Sequence, residues 1–173
     1  MNLTINRRNT YTSGSQITDL FNRPNKGNCA ACHPSSSDDP ATSPLFTDFS
    51  YDNLGVPANP ASPFLNQDPQ FNPDGSSFVG LGLGGVLGDA AEYGKFKVPT
   101  LRNIAATAPY MHNGVFTTLE QVVHFYNTRD ADGVVPEVTD NVNMDELGNL
   151  GLSSAEEADL VAFLKALTGS YSQ

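Results

Sequence analysis

Apolar residues recur at helical spacing in four stretches of the chain, and no stretch alternates clearly enough to predict a strand. The first is 13–23 (SGSQITDLFNR), where Ile17, Leu20 and Phe21 share a face and Ser13 or Ser15 offers a cap. Pro24 and Gly27 end it. Residues 99–108 (PTLRNIAATA) open with proline at a first-turn position, where its missing N–H costs nothing. Residues 117–127 (TTLEQVVHFYN) open with Thr117 and, three residues on, Glu120, the pattern of a capping box. Residues 153–168 repeat that device with Ser153 and Glu156, carry Leu160, Val161, Phe163, Leu164 and Leu167, and stop at Gly169. The pattern predicts an all-α domain with long irregular loops.

Between the first and second of these helices the pattern fails. Residues 34–73 hold eight prolines in forty positions, with Asp, Asn and Ser between them, so a long wrapped loop is expected. Its scattered apolar residues, Phe46, Phe49, Tyr51 and Leu54 among them, favour an ordered wrap. Gly80, Gly82 and Gly85 match G-x-G-x-x-G formally, but neither the preceding NPDGSSFV nor the following DAAEYGKFKVP supplies a βαβ unit, so no dinucleotide site is expected. The 173 residues suffice for one core, which we divide into an N-terminal extension over 1–12 and a single domain over 13–173. No run approaches the ~18 apolar residues of a membrane span. The N-terminus lacks an apolar run after Arg7 and Arg8, so it does not read as a signal peptide.

Nineteen acids against nine bases give a net charge of −10, which opposes nucleic-acid binding and allows a basic partner such as a cationic electron carrier, the plainer reading being that it keeps the protein in solution. Residues 130–157 hold eight carboxylates and no Lys or Arg. Their Asp130-x-Asp132-Gly133 start falls short of an EF-hand, and a solvated loop is expected there.

The only two cysteines stand in Cys29-Ala30-Ala31-Cys32-His33. C-x-x-C-H reads as attachment of c-type haem: two thiols add across the vinyl groups, and the next residue places an imidazole under the iron. A zinc site would have to recruit both other histidines from far along the chain. We therefore expect one covalent haem c, with Cys29 and Cys32 as thioethers and His33 as proximal iron ligand, in a cytochrome c-like domain. Covalent haem attachment implies a periplasmic or otherwise extracytoplasmic location, so Met1 reads as the start of a processed chain or of a fragment. The residues leave five candidates for the sixth iron position: Met111, His112, His124, Tyr126 and Met144.

Residues 95–127 carry a V-P-T-L-R-N run at 98–103, an A-P-Y-M-H-N-G run at 108–114 and a T-L-E-Q-V-V run at 118–123. With N-C-A-A-C-H-P at 28–34 and the last helix, they resemble the C-terminal haem domain of bacterial di-haem cytochrome c peroxidases and their MauG-like relatives. The resemblance covers most of 13–169 and is weakest between 35 and 80. It implies that this half holds the electron-transfer haem while another domain meets peroxide. It also implies Tyr126 as distal iron ligand, because the family's usual methionine, fourteen residues after the histidine matching His112, is replaced there by tyrosine as in the MauG-like branch. Met111 and His124 remain as alternatives. The resemblance further implies calcium held by the backbone carbonyls of Thr107 and Pro109. Arg102 is a candidate contact for a haem propionate.

One C-x-x-C-H rather than two means that two-haem peroxide chemistry is incomplete within this chain. The expectation is an electron-relay domain that works with another haem domain or cytochrome chain. The alternative is a stand-alone mono-haem carrier or a cytochrome subunit of a larger redox complex. No G-x-S-x-G or H-E-x-x-H supports hydrolysis.

Overall fold

A computed structural model describes residues 14–37, 39 and 41–169; the expected 1–12 extension and the Ser13 cap lie outside the described residues. Among the described residues four α-helices run Gly14–Asn22 (α1), Gly82–Leu87 (α2), Leu119–Thr128 (α3) and Ser154–Ala166 (α4). Helices α1, α3 and α4 pack around a core of Leu20, Phe21, Leu119, Val123, Leu160 and Leu164, each almost closed to solvent. Burying such a side chain is worth at most roughly 1.5–3 kcal/mol, so this apolar stripe holds the three helices together.

Helix α4 begins as its sequence predicts. The Ser153 hydroxyl accepts from the Glu156 N–H while the Glu156 carboxylate accepts from the Ser153 N–H. Helix α3 uses its box one residue later than expected. Thr118, not Thr117, is the cap, and Gln121, not Glu120, closes the box by accepting from the N–H groups of Thr117 and Thr118. Glu120 instead pairs with Lys165 of α4 at 2.7 Å. Two overlapping T-x-x-E/Q patterns were present, and the one that leaves the acid free for an inter-helix pair is used.

The helix expected over 99–108 is reduced to a 3-10 turn at Ile104–Ala106. Asn103 takes a left-handed φ of 60°, which interrupts helical hydrogen bonding. Its N–H donates to the Leu167 carbonyl and its side-chain oxygen accepts from the Gly169 N–H, so docking to the end of α4 outcompetes the local helix. The chain also carries a small sheet that the pattern did not predict. Tyr51–Asp52 (β1) and Phe96–Lys97 (β2) pair antiparallel, Tyr51 opposite Lys97 and Asp52 opposite Phe96. Two residues per strand give no alternation to read. The fold is therefore a helical core with a minimal sheet and extensive loop, and all-α describes only the core.

The 34–73 loop is ordered by side-chain bonds to distant backbone. Thr47 donates to the Val98 carbonyl, and Asn53 donates to those of Val138 and Asp140. Gly94, at φ +76°, lies so close to the Asn53 amide that a Cβ would collide with it. A second apolar cluster, Val56, Phe125 and Leu147 with Leu54, Met111 and Tyr126 against it, stands beside the helical core.

Candidate haem site

The two apolar clusters leave a cavity of ≈ 480 Å³ between them, within the range of small-molecule and cofactor sites. Cys29, Cys32 and His33 line it, as do Leu119, Val123 and Leu160 of the helical core and Val56 and Leu147 of the second cluster. The cysteine motif is positioned by the end of α1. Gly27 packs against the Leu20 carbonyl so tightly that a Cβ would collide with it, and Asn28 at φ 51° turns the chain into a 3-10 turn at Cys29–Ala31.

Burial pushes both thiols up to about 12; at Cys32 the carboxylates of Glu146, Asp48 and Asp52 push the same way. Thiols held neutral are poor zinc or disulfide-exchange groups, which act as thiolates. The His33 Nδ1–H donates to the Phe46 carbonyl at 2.8 Å, leaving Nε2 free as a ligand atom, and burial lowers the ring's pKa towards the neutral form. Two thiols, a neutral imidazole with one oriented nitrogen and an apolar cavity together fit a c-type haem.

The structure separates the five candidates for the sixth position. Tyr126, Met111 and His112 line the cavity. Tyr126 is carried by α3, and burial raises its phenol above the ordinary range; the carboxylate of Asp52 adds to the rise and the Arg129 guanidinium opposes it. The His112 Nε2–H donates to Glu137 at 3.0 Å, and its ring stacks on Phe96 at 3.7 Å, so it is already engaged. His124 points outward, its side chain 58% exposed and donating to Glu157. Met144 is 63% exposed and its sulfur accepts from Arg129.

Thr107 and Pro109 also line the cavity. Arg102 does not: its guanidinium donates to the carbonyls of Pro44 and Ser43, strapping the long loop to the chain after β2. The acidic stretch expected as a solvated loop is partly turned inward. Glu137 holds His112 and the Asn113 amide, Glu157 holds His124 and the Asn127 amide, and Glu146 lines the cavity beside Cys32. Sequence reasoning missed these roles, and it missed Arg129. That side chain is 2% exposed and donates to Asp130 and to the carbonyls of Leu54, Asn143 and Leu147. Its one sequence signal is its place, a lone cation at the end of α3 just before the acidic stretch.

Among the described residues no helix is long and apolar enough to cross a membrane. No protein-family model matches the chain. The chain is 38% identical over 157 residues to the methylamine utilization protein MauG of Paracoccus denitrificans, which covers 82% of the chain and 39% of MauG. It is 38% identical to cytochrome-c peroxidase IdrP2 of Denitromonas iodatirespirans, across 83% of the chain and 37% of that protein. Among solved structures, the diheme peroxidase BthA of Burkholderia thailandensis superposes with a TM-score of 0.66 at 32% identity, covering 92% of this chain and 43% of BthA. The chain thus spans about two fifths of the length of these relatives. These relatives support haem c as the cofactor. A C-x-x-C-H motif opening into an apolar cavity, on a fold shared with these proteins, places the chain in the MauG-like di-haem cytochrome c peroxidase family of oxidoreductases.

Proposed function

We propose that the chain is an electron-relay domain carrying one haem c, attached through Cys29 and Cys32 with His33 as proximal and Tyr126 as distal iron ligand. It passes electrons to a peroxide-reacting haem on another domain or chain, in the periplasm or another extracytoplasmic compartment. One observation carries this reading: the partly buried Tyr126 side chain lines the same cavity as Cys29, Cys32 and His33. Bound haem would supply one-electron redox chemistry. The chain's own residues do the rest. The Phe46 carbonyl fixes the His33 ring, the apolar walls exclude water, and Arg129 is the group that favours the phenolate of Tyr126. An oxygen ligand at the distal position lowers the reduction potential relative to methionine. Met111 is the alternative ligand inside the cavity. Thr107 and Pro109, in the cavity wall, are the residues whose carbonyls would hold calcium if another domain completes the site.

The test is optical and low-temperature EPR spectroscopy of the ferric protein and of Tyr126→Phe. A low-spin, six-coordinate signal that the substitution abolishes or alters is the expected result. An unchanged low-spin spectrum removes Tyr126 and leaves Met111 or a histidine. A high-spin, five-coordinate wild type removes the relay reading. Peroxide turnover that needs a second haem domain separates the relay from a stand-alone mono-haem carrier, which would be reversibly reduced but show no turnover with any partner.

A further inference from the structure

Asp52 and Glu146 come from opposite ends of the domain in sequence and meet at the cavity wall beside Cys32. The Cys32 Sγ lies 3.7 Å from Glu146 Oε2, and one oxygen of each carboxylate and the sulfur all fall within 4.8 Å of one another. One amide holds the pair. Asn143 Nδ2 donates to Asp52 at 2.5 Å and to Glu146 at 2.8 Å. Asn143 is fixed in turn, since its side-chain oxygen accepts from the N–H groups of Asp145 and Glu146. Arg129 ties down the backbone on both sides by donating to the carbonyls of Leu54, Asn143 and Leu147.

Two carboxylates this close repel, and a cation beside them would favour the charged form of both. Among the described residues neither has one within 4 Å. Lys97 lines the same cavity, but the basic side chains on the adjoining segments bond to other groups. The Arg129 guanidinium pairs with Asp130, and Lys97, next to Phe96 opposite Asp52, donates to the Val98 carbonyl and sits over the Phe49 ring. As a cation site the cluster is weak, because haem attachment would turn its thiol into a thioether and leave only the two acids. The fold has instead fixed two carboxylates, neither with an ion-pair partner within 4 Å, where the thioether edge of the haem would lie.

We propose that Asp52 and Glu146 act as an electrostatic tuner of that haem, favouring the ferric over the ferrous state and so lowering its reduction potential. The inference rests on the haem attachment proposed above. The physical ground is Coulomb's law in a half-buried setting: reduction removes one positive charge from the iron, and the nearby carboxylates oppose that loss with less screening than surface charges would. The reaction is a one-electron transfer from mediator to ferric iron, with no bond made or broken in the protein. It acts in the same direction as an oxygen ligand from Tyr126.

The experiment is an optical redox titration at fixed pH of the haem-loaded protein, its Asp52→Asn and Glu146→Gln variants and the double variant. Both substitutions keep an oxygen that can accept from Asn143, so packing is preserved while charge is removed. Each should raise the equilibrium constant for reduction about tenfold, about 59 mV for a one-electron couple, and the double variant should exceed either. Glu146→Asp, which keeps the charge, should stay close to wild type. Asp74→Asn, an exposed acid away from the cavity, measures the effect of net charge alone. If the cavity variants shift no more than Asp74→Asn, or if Glu146→Asp shifts as much as Glu146→Gln, the tuner is refuted. Should one variant fail to fold, the other decides by the same criterion. A pyridine haemochrome assay is run first: a chain without covalent haem overturns the site reading and this inference with it, whereas a loaded chain with unmoved potentials overturns this inference alone.

Discussion

Glu156 does two things with one carboxylate. It accepts from the Ser153 N–H and hydroxyl to cap α4, and it pairs with the Lys26 ammonium at 2.7 Å, fastening the segment before the cysteine motif to that helix. Both contacts favour the charged form, Lys26 first, and they depress its pKa from 4.5 to about 2. A carboxyl whose folded pKa is depressed adds stability that is fully present above its unfolded value and is lost as pH falls through the folded one. That window runs from about 4.5 down to about 2. The side chain is partly exposed, so solvent screening limits the ion pair to roughly 0.2–1 kcal/mol. Glu156→Gln keeps the capping box, because glutamine also serves there. Urea unfolding should therefore show the variant less stable by that amount at pH 7, with the difference closing towards pH 2. A difference that persists unchanged at pH 2 would mean that packing rather than charge holds the contact.

Helices α3 and α4 are joined by Asn127 as well as by their apolar faces. Its amide donates to the Leu152 carbonyl at 3.0 Å and to Glu157 at 2.7 Å, and its oxygen accepts from the Leu152 N–H at 2.9 Å. The site is buried, so Asn127→Ala strands polar groups that water cannot readily reach, at about 1–3 kcal/mol for each one left unpaired. A loss of roughly 2–4 kcal/mol is expected, read as a lower urea midpoint with an unchanged slope. An unchanged midpoint would show that water replaces the amide. Helices α1 and α3 were legible in the sequence from their amphipathic stripes, and α4 from its Ser153/Glu156 capping box and its apolar residues. The 99–108 segment misled because its decisive contacts, Asn103 with Leu167 and Gly169, are non-local. The two-residue strands and α2 were too short to leave a period. The site divides the same way. Cys29, Cys32 and His33 are adjacent and could be read as a string, whereas Asp52, Asn143 and Glu146 become neighbours only after the long loop has folded. Phe46 acts through its carbonyl, for which its side chain gives no sign.

At the scale of the whole molecule, the formal charge of −10 and the position of the cavity acids bear on how electrons arrive. Asp48, Asp52 and Glu146 all act on Cys32, so part of the negative charge is concentrated where the thioether edge of the proposed haem would lie rather than spread evenly. A potential of that sign attracts cationic donors and repels anionic ones, and it extends only about a Debye length, ~10 Å at 0.1 M salt. Stopped-flow reduction of the ferric haem-loaded protein should therefore slow with rising ionic strength when the donor is a basic cytochrome. With an anionic reductant such as ascorbate it should quicken, and with an uncharged one it should barely change. Both slopes should flatten in the Asp52→Asn/Glu146→Gln double variant, although its net charge has changed by only two. If the slopes instead follow net charge, so that any two surface acids removed have the same effect, the acids at Cys32 do not steer the donor and it is met at another face. The opposite slopes for the two charged donors separate steering from a general effect of salt on the protein, which would move all three rates together.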